Sequence, residues 1–166
     1  MKVGIIMGSD SDWPILEKAE NIFEKFGIEC VVRVLSAHRT PHAAANFAET
    51  AEENGMEVII AAAGMSAHLA GVMAAHTILP IIGIPIRNGA MNGMDALLST
   101  VMMPPGVPVA CVGIDAGMNA ALLAVQMLSI KYPELKEKLG EYKREMNESV
   151  KEKERKLAEK RAAQSE

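Results

Sequence analysis

Five short apolar runs, each followed by a segment with helical character, restrict what this chain can fold into more than any other feature of it. The runs cover residues 2–7, 28–35, 57–62, 80–84 and 107–112. The helical segments between and after them cover residues 12–26, 41–54, 67–76, 94–102 and 117–132, with Gly55 placed to end the second. Strict strand–helix alternation predicts a parallel sheet with helices on both faces. The runs are continuously apolar rather than alternating, as strands covered on both sides require.

A chain of 166 residues suffices for one domain with a sizeable core. Only 4% of its residues are aromatic, so Met, Ala, Ile, Val and Leu must fill that core, with 12 methionines as adaptable packing. The net charge of −4 offers no electrostatic case for nucleic acid as a partner. The least charged stretch, residues 66–86, holds His68, His76, Pro80 and Pro85, and does not read as a membrane span. Residues 1–8 run straight into the first strand pattern and do not read as a leader. Cys30 and Cys111 fall in strand-like runs and read as buried thiols of a cytoplasmic protein.

The last part of the chain has a different composition. Between residues 134 and 161, 18 of 28 side chains are charged, and Leu135, Leu139, Tyr142, Met146 and Val150 recur every three or four residues. That pattern predicts a long helix with one narrow apolar stripe, docking on a neighbouring subunit. The division is therefore an α/β body at 1–133, a charged helix at 134–161 and a disordered end at 162–166.

Three consecutive strands end in unusual loops: Gly8-Ser9-Asp10-Ser11-Asp12, Ser36-Ala37-His38-Arg39-Thr40-Pro41 and Gly64-Met65-Ser66-Ala67-His68-Leu69. In a parallel sheet these share one edge, where ligands bind. With strand order 2-1-3-4-5 they become neighbours around one crevice. In the first, Gly8 permits a tight turn, while Ser9, Ser11 and the free amides of the next helix could cradle a phosphate. Asp12 could accept from ribose hydroxyls, or Ser11 or Asp12 could serve as a helix cap. In the second, Thr40-Pro41 is a natural helix start. Of the seven cations before residue 134, only Arg39 and Arg87 fall at or just after the end of a strand, and a guanidinium suits a phosphate.

All four histidines lie between residues 38 and 76. His38 and His42 are four apart, but Pro41 starts a helix between them and no third ligand is at hand, so no metal site is expected. His38, beside Arg39, is the candidate acid–base; His68 reads as structural or as pocket wall. Ser-Ala-His occurs twice, thirty residues apart. The chain has no Gly-x-x-x-x-Gly-Lys loop, no Gly-x-Gly-x-x-Gly fingerprint and no Gly-x-Ser-x-Gly elbow. The residues thus point to a small phosphorylated ligand, a histidine acid–base and no organic cofactor, without naming a substrate.

In order and spacing, these three loops resemble the signature loops of the 5-(carboxyamino)imidazole ribonucleotide mutase family (PurE, class I). Three further segments match: Asn92-Gly93-Met94-Asp95-Ala96-Leu97, Met103-Pro104-Pro105-Gly106-Val107-Pro108-Val109 and Asn119-Ala120-Ala121-Leu122-Leu123. The resemblance implies a three-layer α/β/α sandwich of flavodoxin-like strand order 2-1-3-4-5. It also implies an octamer with active sites at subunit interfaces and a cofactor-free carboxylate shift in purine biosynthesis. It assigns the nucleotide to Ser9, Ser11, Asp12, Ser36 and Arg39, and proton transfer to His38. The pocket wall would be Gly8, Ala37, Gly64, Ser66, Ala67, His68 and Leu69. Met65-Ser66 stands where the family usually shows Gly-Gly or Gly-Ala, and Met102 where it usually shows Gln. Two alternatives are a carboxylase using free carbon dioxide, a branch that typically carries Lys after Ser-Ala-His, and a non-catalytic nucleotide-binding module.

Overall fold

The computed structural model describes residues 1–164. Its five strands are β1 (Lys2–Met7), β2 (Glu29–Val34), β3 (Val58–Gly64), β4 (Ile81–Ile86) and β5 (Ala110–Cys111), all parallel, in the order β2-β1-β3-β4-β5. The helices are α1 (Trp13–Phe26), α2 (Pro41–Glu49), α3 (Leu69–His76), α4 (Met94–Val101), α5 (Gly117–Leu128) and α6 (Pro133–Ala163).

Both faces of the sheet are covered, which is why its central strands lack polar residues beyond Lys2 at the start of β1. Along β1, Val3, Ile5 and Met7 pack with α1 and α5, whereas Ile6 faces the opposite way, toward α2 and α3. β3 divides in the same way, with Val58, Ile60 and Ala62 on one side and Ile59 and Ala61 on the other. Small residues set the closest approach of the covering helices. A Cβ on Gly117, at the start of α5, would collide with the backbone of Ile15 in α1. Gly27, at φ 73°, closes α1 with paired backbone bonds, from Gly27 to Glu24 and from Ile28 to Phe23.

Several boundaries differ from the sequence reading. β3 runs on through Gly64 and β4 through Ile86, despite Pro85. Proline is tolerated there because its missing N–H faces the side where β5 has already ended. On that side the Pro85 carbonyl accepts from the Asp115 backbone N–H at 2.9 Å. The expected 107–112 strand shrinks to the pair Ala110–Cys111, matched to Ile82 and Gly83, after a segment containing Pro104, Pro105 and Pro108. α2 ends at Glu49, where the Thr50 hydroxyl donates back to the Asn46 carbonyl; two turns follow before Gly55, at φ 78°. α5 ends at Leu128 rather than 132, through a turn in which the Ser129 hydroxyl donates to the Gln126 carbonyl.

The C-terminal helix is divided in how it packs. Leu135 is fully buried, and Leu139 and Tyr142 pack against this chain's own core. Lys138 donates to the Phe26 carbonyl at the end of α1, and Lys25 pairs with Glu145 at 2.6 Å. From Met146 onward the apolar stripe is exposed at Met146, Val150 and Leu157. The first turns thus dock within the chain, where docking on a neighbour was expected of the whole helix. The helix also runs two residues past 161, ending at Ala163; residues 165 and 166, the rest of the end expected to be disordered, lie outside the described residues. Pairs such as Arg155 with Glu152 and Glu159 support its exposed part. Among the described residues no helix is long and apolar enough to cross a membrane.

Candidate active site

Strand order decides where the three loops meet. β1 lies between β2 and β3, so the loop after β1 is flanked by the other two. The three loops enclose a cleft of about 450 Å³ at the C-terminal edge. Gly8, Ser9, Asp12, Ser36, Ala37, His38, Arg39, Gly64, Ser66, His68 and Leu69 all line it. Ser11 and Ala67 do not: Ala67 is buried behind its loop, and the Ser11 hydroxyl bonds to the Ser9 hydroxyl at 2.9 Å. Met65, marked in the sequence as a departure from the family pattern, also lines the cleft, as do Ala63 and Asn88, which the sequence reading missed. Asn88 follows the end of β4, where only Arg87 had drawn notice for its charge. Arg87 bonds instead to Asp115, its backbone N–H donating to Oδ1 at 2.8 Å, with its Nε 3.4 Å from Oδ2.

Ser9, rather than Ser11 or Asp12, is the capping residue. It precedes a 3₁₀ turn, Asp10–Asp12, and its hydroxyl accepts from the Ser11 backbone N–H at 3.3 Å. Asp12 makes no side-chain cap bond to α1. Its carboxyl group is buried and accepts from the Ser11 hydroxyl at 3.2 Å. Burial raises the Asp12 pKa above the usual carboxylate value and outweighs the hydrogen bonds from Ser11 and Ser9 that lower it; the negative charges of Asp10 and Asp115 raise it further. A buried carboxylate short of donors is well suited to receive hydroxyl groups from a ligand.

The second loop is closed by its own side chains. Thr40, expected to cap α2, instead accepts the Ser36 backbone N–H at 2.9 Å and donates to the Ser36 carbonyl at 3.1 Å. Ser36 Oγ accepts the Arg39 backbone N–H at 3.1 Å. The Arg39 guanidinium then reaches over to the first loop, donating from Nη2 to the Gly8 carbonyl at 2.8 Å. Among the described residues Arg39 has no carboxylate partner, so most of its donors are available for an anion.

The repeated Ser-Ala-His triplets face each other. His38 Nε2 and His68 Nδ1 are 2.8 Å apart, with the rings edge-on at an interplanar angle of 84°. A bond between two imidazole nitrogens needs one donor and one acceptor. The bonded pair can therefore be neutral or carry one extra proton, but two imidazolium ions would set N–H against N–H. The contact thereby couples the tautomers of the two rings and holds the orientation of His38. Among the described residues no three His, Cys, Asp or Glu side chains are grouped as metal ligands.

The loop after β3 carries the most strained residue of the cleft. Met65 adopts φ 55°, as do Asn92 (51°) and Asp115 (57°) nearby in value. Asn and Asp visit this left-handed region readily; for Met it costs about 1–2 kcal/mol.

Sequence comparison places these loops in a family. Residues 2–149 match the family described as AIR carboxylase. The chain belongs to that family. A relative from Pyrococcus abyssi, named N5-carboxyaminoimidazole ribonucleotide mutase, is 59% identical over 145 residues, spanning 87% of this chain and 83% of the relative. A Thermotoga maritima relative of the same name is 51% identical over 156 residues, 94% and 91% of the two chains. The crystal structure of Treponema denticola PurE superposes with a TM-score of 0.83 at 30% identity, covering 94% of this chain and 98% of that one. The expected strand order and three-layer fold are those observed. The AIR carboxylase family thus includes relatives named for a mutase, an isomerase-type activity.

Proposed function

We propose that this protein converts 5-(carboxyamino)imidazole ribonucleotide into 4-carboxy-5-aminoimidazole ribonucleotide, as a cytoplasmic enzyme of purine biosynthesis. The observation that carries the proposal is the His38–His68 pair, set beside Ser9, Asp12, Ser36 and Arg39 in one cleft. Arg39 and the hydroxyls of Ser9 and Ser36 hold the phosphate, with Ser11 fixing Ser9 from behind. Asp12 accepts from the ribose hydroxyls.

His38 then stands at the base and moves a single proton. In the first half it protonates the carbamate nitrogen as the nitrogen–carboxylate bond breaks, which releases carbon dioxide and leaves a neutral amine. In the second half the electron-rich ring carbon attacks the carbon dioxide, and His38 takes the proton that this carbon loses. The proton spent is recovered, so no net proton, electron or cofactor is needed. His68 accepts from or donates to His38 and keeps its reactive nitrogen aimed at the ring. Confinement raises the effective concentration of the released fragment, and exclusion of water keeps it from being lost.

The working form is an assembly of this chain, an octamer by family resemblance, with the cleft at a subunit contact. Exposed apolar side chains support this. Met91, Met94, Leu98, Val101 and Met102 are exposed on or beside α4, and Leu98 and Met102 line a groove shared by α3 and α4 that reaches His68. The far part of α6 offers a second such surface.

The test supplies the carbamate substrate and, separately, aminoimidazole ribonucleotide with bicarbonate. Rapid turnover of the first without added bicarbonate supports the mutase. Turnover of the second alone would make it a carboxylase, and binding without turnover of either would make it a binding module.

A further inference from the structure

We propose that Met65 is the retention residue of the cleft: its thioether covers the open side between the loops after β3 and β4 and keeps released carbon dioxide from exchanging with solvent. The inference rests on the mutase reading above. Of the three non-glycine residues with left-handed backbone among the described residues, Asn92 and Asp115 are of types that adopt it readily, and Met65 is not. Within the single chain burial does not compensate for this conformation, because Met65 is 56% exposed. Strain without packing gain is found where the position of the side chain serves a function.

That position is defined by its neighbours. Gly64 is pressed into the end of the sheet, where an added Cβ would lie 3.0 Å from Asn88 Cβ and 3.3 Å from the Ile86 carbonyl oxygen. After Met65 the chain turns back, with the His68 backbone N–H bonded to the Ser66 carbonyl at 2.9 Å. Between these anchors, Met65 Cγ stands 3.7 Å from where a Cβ on Gly89 would be, so the side chain crosses to the loop after β4. Met65 and Asn88 both face the cleft that holds His38. Carbon dioxide has no net charge for Arg39 to grip, and an apolar, water-excluding wall is suited to hold it. A flexible thioether can follow the ligand as it enters and leaves.

The experiment uses the full-length protein, the carbamate substrate and carbon-13-labelled bicarbonate, and measures label in the product. Wild-type product is expected to carry little label. Met65→Gly is expected to raise the labelled fraction roughly five-fold or more by opening the wall, with KM changed less than about two-fold. Met65→Leu, apolar and of similar reach, is expected to restore retention. Light scattering on each variant checks that the assembly is intact. Equal label in wild type and Met65→Gly overturns the role of Met65. So does equal leakage from Met65→Leu, or leakage that appears only with loss of assembled mass. Fully labelled product from the wild type would instead sink the mutase reading itself.

Discussion

At the edge where the strands begin, charged groups satisfy one another. Glu57 accepts from Lys131 at 2.8 Å and from the Tyr132 hydroxyl at 2.9 Å, and Lys2 pairs with Glu29 at 3.0 Å. At the edge where the strands end, Asp12 is buried beside other carboxylates, Arg39 has only carbonyl and hydroxyl partners among the described residues, and two histidines are hydrogen-bonded to each other. The first edge is paired within the chain; the second keeps an arginine without a carboxylate partner among the described residues. The carboxyl groups record this difference. Partial burial would raise the pKa of Glu57, but its bonds to Lys131 and Tyr132 outweigh that and lower it; at Asp12 burial wins and the pKa is raised. Substitutions at one edge should therefore change stability and leave chemistry alone, and those at the other should do the reverse.

The sharpest break is at His38. His38→Asn should reduce turnover by about 10³-fold or more, with nucleotide binding and melting temperature nearly unchanged, since general acid–base groups supply effects of that order. Normal turnover in this variant would remove the acid–base assignment. Next is Arg39→Gln, which removes the proposed phosphate cation. KM should rise roughly 10- to 100-fold, consistent with loss of a charge-assisted bond. Steady-state kinetics checks it, and an unchanged KM would move the phosphate elsewhere.

Glu57→Gln should keep full activity and cost about 1 kcal/mol of stability at neutral pH, measured by denaturant unfolding. The sign of its pH dependence follows from the lowered pKa. The folded protein binds the Glu57 proton more weakly than the unfolded chain, so the stabilisation is present above the unfolded value of 4.5 and is lost as pH falls through the folded value. Asp12→Asn, the smallest effect on the fold, should do the opposite. A raised pKa means that ionised Asp12 destabilises the empty protein above its folded pKa and has no effect below 3.8. The variant should melt a few degrees higher or less at pH 7 while binding nucleotide more weakly. A lower melting temperature would mean that Asp12 serves the fold rather than the ligand.

Much of the architecture was legible because burial leaves a period in the sequence. The continuously apolar runs at 2–7 and 57–62 report coverage on both faces, and β1 and β3 have it. Gly55 marks a turn because its position requires a left-handed backbone. The cleft's polar loops could be found for a similar reason: Gly8, Ser9, His38 and Arg39 fall at strand ends, where side chains are not needed for the core. Boundaries were less legible. Pro85 reads as the end of a strand, yet it lies inside β4, because its consequence depends on whether a neighbouring strand needs its missing N–H.

By itself, then, the sequence determined the layers of this protein, the edge on which its polar loops gather and most of the residues around the cleft. Only the tertiary structure decided that His38 and His68 share a hydrogen bond, that Arg39 reaches the Gly8 carbonyl, that Asn88 and Met65 line the cleft, and that the stripe of α6 is buried at Leu135 but exposed at Val150. The reason is physical. Local pattern reports how much of a residue is covered, a property of one segment, whereas a contact depends on two segments and the angle at which the sheet and its helices bring them together.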